Sequence, residues 1–166
     1  MKVGLFGGSF DPIHQGHIEP LLEAQRRLGL DRIVYLPTAT PPHKPERSFA
    51  PALARFAMVE LALLDRPDLL VSSHELTLGQ AAYTVETLAH FRAADPDSEL
   101  YLLLGADSFL ELSTWLRWRE IVDAARRIAR DAEQGKLDPE SLDEKGFADY
   151  LYAPDLPDPD LLIRTG

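Results

Sequence analysis

The architecture of this chain follows from one stretch, Phe6-Gly7-Gly8-Ser9-Phe10-Asp11-Pro12-Ile13-His14-Gln15-Gly16-His17. An apolar run before it, residues 2–6, predicts a buried strand, and residues 18–28 after it predict an amphipathic helix. The two glycines lack a Cβ, so the backbone can turn sharply and approach a ligand closely. His14 and His17 are three residues apart where the loop enters the helix, so their rings can face the same way.

These features favour a phosphate as the ligand of the turn. A helix start carries unpaired N–H groups and a partial positive charge, which attract an anion, and two imidazoles add to that attraction. The spacing fits neither a Walker A loop nor the Gly-x-Gly-x-x-Gly fingerprint. Two alternatives remain: a tight turn with incidental histidines, and a zinc site. Zinc ranks below phosphate because the chain has no cysteine and no third ligand at an obvious spacing.

The composition predicts one soluble domain of 166 residues. No apolar run approaches the ~20 residues of a membrane span, and we expect no signal peptide. The absence of cysteine fits a reducing, cytoplasmic setting. A net charge of −10 argues against broad binding to nucleic acid or anionic membrane. Phosphates would therefore be bound locally, by a helix end, histidines, a few bases and a divalent cation.

Strand and helix patterns alternate along the first 126 residues. The strand patterns lie at residues 2–6, 32–36, 69–72 and 99–104. The helix patterns lie at residues 18–28, 52–64, 84–94, 108–112 and 115–126. This alternation predicts an α/β fold, a doubly wound parallel sheet with right-handed crossovers. Such a sheet binds ligands beyond the carboxyl ends of its strands.

Polar, ligand-type side chains follow all four predicted strands, and this favours a nucleotide-sized site at one edge of the sheet. The loops after the second, third and fourth strands contain Pro41-Pro42-His43-Lys44, Tyr83-Thr84-Val85-Glu86-Thr87-Leu88 and Gly105-Ala106-Asp107-Ser108. Each has a plainer interpretation. The loop after the second strand can be an exposed basic spot, Thr84 can cap a helix, and the Gly105 loop can be a simple turn. Trp115 can belong to the core.

Residues 1 to about 126 resemble the bacterial nicotinate mononucleotide adenylyltransferases. The resemblance rests on the first stretch, on the three loop motifs in this order, and on the later Trp115. It implies a Rossmann-like nucleotidyltransferase fold. It also implies adenylyl transfer from ATP, with Mg²⁺, to nicotinate mononucleotide, a step of NAD biosynthesis. Two alternatives remain: a nucleotide-binding module without turnover, or another nucleotidyltransferase such as a phosphopantetheine adenylyltransferase.

The resemblance also assigns expected roles to individual residues. His14 and His17 would be catalytic and hold the ATP phosphates. The expected ATP-binding residues are Gly7, Gly8, Ser9, Phe10, His14, His17, Gly105 and Asp107. The expected residues around nicotinate mononucleotide are His43, Lys44, Tyr83, Thr84 and Trp115, with Trp115 stacked on the pyridine ring. No resident metal, nucleic acid or membrane is expected, and the oligomeric state stays open, a homo-oligomer included.

The pattern changes after about Arg126. No Ser-Ser/Thr-x-x-Arg type motif, which is expected near the end of an adenylyltransferase, follows Arg126, and its loss could impair activity. Residues 127–166 are instead similar to a fragment of the cis-prenyltransferases that make undecaprenyl diphosphate. Their closing Pro-Asp-Pro-Asp-Leu-Leu-Ile-Arg-Thr-Gly carries that resemblance, which implies a diphosphate contact for Arg164. We therefore expect a nucleotidyltransferase domain over 1–126 and a foreign acidic tail of helix and loop over 127–166.

Overall fold

The computed structural model of the chain describes residues 1–39, 49–78 and 81–122. The side chains of Ala106 and Asp107 are also outside the description. His43, Lys44 and the segment 127–166 therefore lie outside the described residues. The domain boundary at residue 126 and the character of the tail stay predictions.

Four parallel strands form the described sheet. They are β1 (Lys2–Gly8), β2 (Arg32–Pro37), β3 (Leu69–Val71) and β4 (Glu99–Leu103), in the spatial order β3-β2-β1-β4. Leu5 of β1 lies opposite Val34 on one side and Leu102 on the other. The strand order reverses beside β1, and such a reversal opens a crevice at the carboxyl ends of the strands. The predicted parallel α/β sheet is confirmed.

Helices connect the strands. They are α1 (Gln15–Leu28), α2 (Ala52–Leu63), α3 (His74–Thr77), α4 (Thr84–Ala94) and α5 (Ala106–Leu110), followed by a 3₁₀ turn, Leu112–Thr114, and by helical residues at 118–122. Gly29 ends α1 in the left-handed region, at φ 63°, where glycine costs least. In the described part of the chain, every helix is too short or too polar to cross a bilayer.

Buried side chains form a core on each face of the sheet. Neighbouring residues of β1 point to opposite faces, so Phe6 enters one core and Leu5 the other. The first core also takes Ile18 of α1 and Val59 of α2, and the second takes Leu88 of α4. Helices thus cover both faces, which explains why the strands are nearly continuous apolar runs.

Tyr35 links the first core to the start of α1. Its ring packs edge-on against Phe6, with centroids 5.7 Å apart, and its hydroxyl donates to the backbone oxygen of His17 at 3.0 Å. Burial raises the pKa of this hydroxyl well above its usual value, so it remains a donor. The contact fixes the first turn of α1 against the sheet.

Candidate active site

An open cleft of about 490 Å³ lies at the carboxyl ends of the strands, where the strand order reverses. It collects ten of the thirteen residues predicted for the site. These are Gly7, Gly8, Ser9, Phe10, His14, His17, Tyr83, Thr84, Gly105 and Trp115. The other three cannot be placed, because His43 and Lys44 lie outside the described residues and the Asp107 side chain is not described. Residues of three of the four predicted loops therefore line one cleft, and the roles assigned to them stay predictions.

His14 and His17 form a close, tilted pair of rings on the cleft wall. Their ring centroids are 3.8 Å apart and the ring planes differ by 31°. His14 occupies the N-cap position of α1 in an extended conformation, and its backbone N–H donates to Nδ1 of His17 at 3.2 Å. Because Nδ1 accepts this bond, the proton of a neutral His17 ring is on Nε2. His17 can therefore donate a hydrogen bond from Nε2.

The pKa of His17 is lowered, first by burial and then by the neighbouring His14. Two imidazolium ions at this distance would repel each other, so the free protein holds His17 neutral at pH 7. A bound phosphate would reverse that preference, because an anion stabilises the charged ring. A pair of this kind would gain positive charge when an anion binds beside it.

The buried ring of Phe10 packs against the ring of His17. Phe10 adopts φ 46°, is 1% exposed, and meets the His17 ring edge-on, with centroids 5.3 Å apart. A bulky side chain at positive φ costs free energy and calls for an explanation. The turn places the ring against His17, so any contact of Phe10 with a ligand would come from its backbone.

The glycines of the turn leave room for these rings. A Cβ on Gly8 would lie 2.9 Å from the Phe10 ring, and one on Gly16 would lie 3.0 Å from the His14 ring. A Cβ on Gly7 would meet nothing within 4 Å. Gly8 and Gly16 are thus explained by packing inside the turn, whereas Gly7 borders open space in the cleft.

Tyr83, Thr84 and Trp115 lie on the second wall of the cleft. The predicted alternative for Thr84, a capping role, is wrong: Tyr83 occupies the N-cap position, Thr84 is the first residue of α4, and no side chain caps this helix end. Trp115 follows the 3₁₀ turn, packs against the second core and also lines the cleft. Its core and ligand interpretations are therefore compatible.

Glu75 is a cleft residue that the sequence interpretation missed. It is 7% exposed, accepts a hydrogen bond from Thr87 Oγ1 at 2.9 Å, and is also hydrogen-bonded to the side chain of Thr38. Burial raises the pKa of its carboxyl group, and the two threonines partly offset that rise. Glu75 lies in a four-residue helix with no strong pattern, so its burial could not be inferred from the sequence.

Arg55 was missed as well. It is the largest of the fully buried side chains in the described part of the protein, yet it lies in the apolar pattern of α2. A single cation in an amphipathic helix usually faces solvent. Only the tertiary structure shows that this one points inward, beneath the loops that form the cleft.

Comparison with known proteins points to one family. The cytidylyltransferase-like family model matches residues 5–157. The relatives include proteins called "Probable nicotinate-nucleotide adenylyltransferase" from Citrifermentans bemidjiense, 42% identical over 132 residues, and from Geobacter sp. strain M21, 44% identical over 124 residues. The matches cover 78% and 73% of this chain but 60% and 56% of the relatives. The chain thus spans little more than half the length of these relatives.

A solved structure shows the same fold. It is the nicotinic acid mononucleotide adenylyltransferase of Plasmodium falciparum in complex with NaAD, with a TM-score of 0.64 at 18% sequence identity. The match covers 73% of this chain and 60% of that one.

Proposed function

Since the chain belongs to the cytidylyltransferase-like family, we propose that it transfers the adenylyl group of ATP to nicotinate mononucleotide. The products are nicotinate adenine dinucleotide and pyrophosphate, and the reaction is a step of NAD biosynthesis. The names of the curated relatives support this choice of substrates. The geometric support is the close pair of His14 and His17 rings at the N-terminus of α1, which lines an open cleft.

The reaction needs positioning and charge stabilisation rather than a general base. The phosphate of the mononucleotide is already an anion, and one of its oxygens attacks the α-phosphorus of ATP as pyrophosphate leaves in line. Negative charge grows on the phosphoryl oxygens and on the leaving group. The Nε2–H of His17, the ring of His14 and the free N–H groups of α1 would face that charge.

The second wall would hold nicotinate mononucleotide. Trp115 offers an aromatic face for the pyridine ring, and Tyr83 and Thr84 offer hydrogen-bonding groups beside it. Gly105 also lines the cleft, and the resemblance implies that it would contact ATP. His43, Lys44 and Asp107 complete the proposed set on the resemblance alone.

Mg²⁺ would enter with ATP rather than bind first to the protein. The described residues include no cluster of three or more His, Cys, Asp or Glu side chains able to hold a metal. Of the acidic side chains that line the cleft, Glu75 already accepts a hydrogen bond from Thr87. Mg²⁺ prefers phosphate oxygens and retained waters to an all-protein cage. When bound, it would neutralise charge on the triphosphate.

A nucleotide-binding module without turnover is the second candidate. The observation that favours it is the sequence of residues 127–166, in which no Ser-Ser/Thr-x-x-Arg type motif occurs. Without the phosphate contacts that this motif would supply, ATP could bind but not react. Binding of ATP without chemistry would then be the activity of this chain.

The decisive experiment incubates the purified chain with ATP, MgCl₂ and nicotinate mononucleotide, and measures both dinucleotide and pyrophosphate. Equal formation of the two products is expected. Calorimetric binding of ATP without pyrophosphate release would select the binding module instead. Phosphopantetheine, offered in place of nicotinate mononucleotide, tests the remaining alternative. Faster turnover with phosphopantetheine than with nicotinate mononucleotide would identify it as the acceptor.

A further inference from the structure

We propose that Arg55 is a positioning residue for this site: from beneath the cleft, its guanidinium group fixes the loop ends of β1 and β2 relative to one another. The proposal rests on the proposed function for its kinetic test, but its structural basis does not. Arg55 lies on α2, is 1% exposed, and is not among the residues that line the cleft. It would therefore act through other residues.

The guanidinium group of Arg55 donates to four backbone oxygens. Nε donates to Ala50 at 3.0 Å and Nη1 to Ser9 at 2.5 Å. Nη2 donates to Thr38 at 2.7 Å and to Ala39 at 3.0 Å. These oxygens belong to three separate pieces of chain: the turn after β1, the loop after β2, and the segment that leads into α2. One rigid, planar fork thus joins three loop ends.

The opposing charge comes from Asp11. Burial lowers the pKa of Arg55, and Asp11 acts in the opposite direction. Oδ2 of Asp11 also accepts the backbone N–H of Ala50 at 3.1 Å, so both charged side chains hold the same segment. A buried cation is costly unless it is well hydrogen-bonded. The hydrogen bonds of Arg55 go to backbone oxygens of loop residues rather than to residues of the core.

Thr38 extends this connection to the second wall. Its N–H donates to the backbone oxygen of Gly8 at 3.0 Å, its oxygen accepts from Arg55, and its side chain is hydrogen-bonded to Glu75. Glu75 in turn accepts from Thr87 of α4. A continuous polar chain therefore runs under the cleft from the histidine turn to the helix that starts with Thr84.

This chain of hydrogen bonds explains how two walls from distant parts of the sequence can be held in one geometry. In-line transfer requires the attacking oxygen and the α-phosphorus to meet at a defined distance and angle. A misplacement of ~1 Å can cost about 10²-fold in rate. Arg55 holds the turn that contacts one substrate, and through Thr38 and Glu75 it is connected to the wall that contacts the other.

The test compares Arg55→Met, which removes the fork, with Arg55→Lys, which keeps the charge but offers three donors from one point. The control is Arg92→Met, because Arg92 also donates to a backbone oxygen, that of Ser98 at 3.1 Å, but at the far end of α4. Kinetic constants are measured at a temperature at which circular dichroism shows each variant folded. For Arg55→Met we expect kcat/KM to fall about 100-fold for both substrates.

We expect Arg55→Lys to lie between wild type and Arg55→Met, and Arg92→Met to stay within about twofold of wild type. The proposal is overturned if Arg55→Met loses thermal stability but keeps wild-type constants per folded molecule. It is also overturned if Arg92→Met loses as much activity. If Arg55→Met does not fold, Arg55→Lys decides, and wild-type constants in that variant overturn the proposal.

A second readout does not depend on turnover, so failure of the proposed function can be distinguished from failure of this proposal. Proton NMR titration of the unliganded protein follows the ring of His17, whose pKa burial and His14 hold below the usual value. Arg55→Met should release the Ser9 turn and move that pKa back toward 6.5, whereas Arg92→Met should not. An unchanged His17 pKa in Arg55→Met would contradict the proposal even if the wild-type chain forms no dinucleotide.

Discussion

The two walls of the cleft are built in opposite ways. The histidine wall comes from consecutive residues, 6–17, which make a strand end, a turn and a helix start. The second wall, here called the aromatic wall, is assembled from residues far apart in the chain, among them Glu75, Tyr83 and Trp115. A local motif can be recognised in the sequence, although Arg55 and Tyr35 also hold this one from outside it. An assembled wall depends on the fold, so its substitutions should affect binding and stability in a less separable way.

The largest expected effect is that of His17→Ala on the histidine wall. Loss of one hydrogen-bond donor aimed at developing charge typically costs about 10²–10³-fold in kcat. The measurement is the rate of dinucleotide formation at saturating substrates. His90→Ala is the control, since His90 stacks on His74 outside the cleft lining, with centroids 3.7 Å apart. Equal rates for His17→Ala and wild type would remove His17 from the mechanism.

A substitution in the aromatic wall should have a smaller effect, mainly on the KM of one substrate. Trp115→Leu removes the face offered to the pyridine ring, and stacking of this kind contributes about 1–3 kcal/mol. We expect KM for nicotinate mononucleotide to rise about 10-fold or more while KM for ATP changes little. Trp118→Leu serves as the control, because Trp118 packs against the same core but is not a lining residue. A rise limited to KM for ATP would place the pyridine elsewhere.

Gly8→Ala and Gly7→Ala separate packing from ligand access within the histidine wall. Alanine at position 8 would press on the Phe10 ring, whereas alanine at position 7 meets open space. Overpacking of this kind costs about 1–3 kcal/mol, so urea should unfold Gly8→Ala at a lower concentration. Gly7→Ala should keep wild-type stability but bind ATP more weakly. If both variants unfold like wild type, the packing account of Gly8 is wrong.

The smallest expected effect is the pH-dependent change in stability caused by Glu75→Gln. Because burial raises the pKa of Glu75, its contribution to stability is fully present below the ordinary value of 4.5 and is lost as pH rises through the raised pKa. Glutamine can still accept the bond from Thr87 without carrying charge. Urea unfolding at pH 8 should therefore show the variant at least as stable as wild type, and the advantage should shrink toward pH 4.5. An advantage that grows toward acid would reverse this interpretation.

The same contrast explains what could be predicted from the sequence. The strands and α4 follow from runs of apolar and helix-forming residues, and α4 begins and ends at the predicted residues. β1 runs two residues further than predicted, because Gly7 and Gly8 continue to pair with β2, and α1 begins three residues earlier, at Gln15. Turn glycines do not reveal by themselves where a strand stops.

The missed residues share a physical reason. Arg55 and Glu75 are charged side chains that the fold buries and pairs with groups distant in the sequence, such as Ser9 at 46 positions and Thr87 at 12. Patterning predicts the exposed position for a charge, because burial without partners is costly. The partners exist only in the folded protein, so neither residue carries a local signal.

The hydrogen bond from the backbone of His14 to Nδ1 of His17 also bears on selectivity between ions. A transition metal needs a lone pair, and on this ring the Nδ1 lone pair is engaged while Nε2 carries the proton. To coordinate zinc through Nε2, the proton would have to move to Nδ1, toward an N–H group that already points there. At His17 the turn is thus biased against metal ions that bind imidazole and in favour of oxyanions, and one main-chain amide determines this preference.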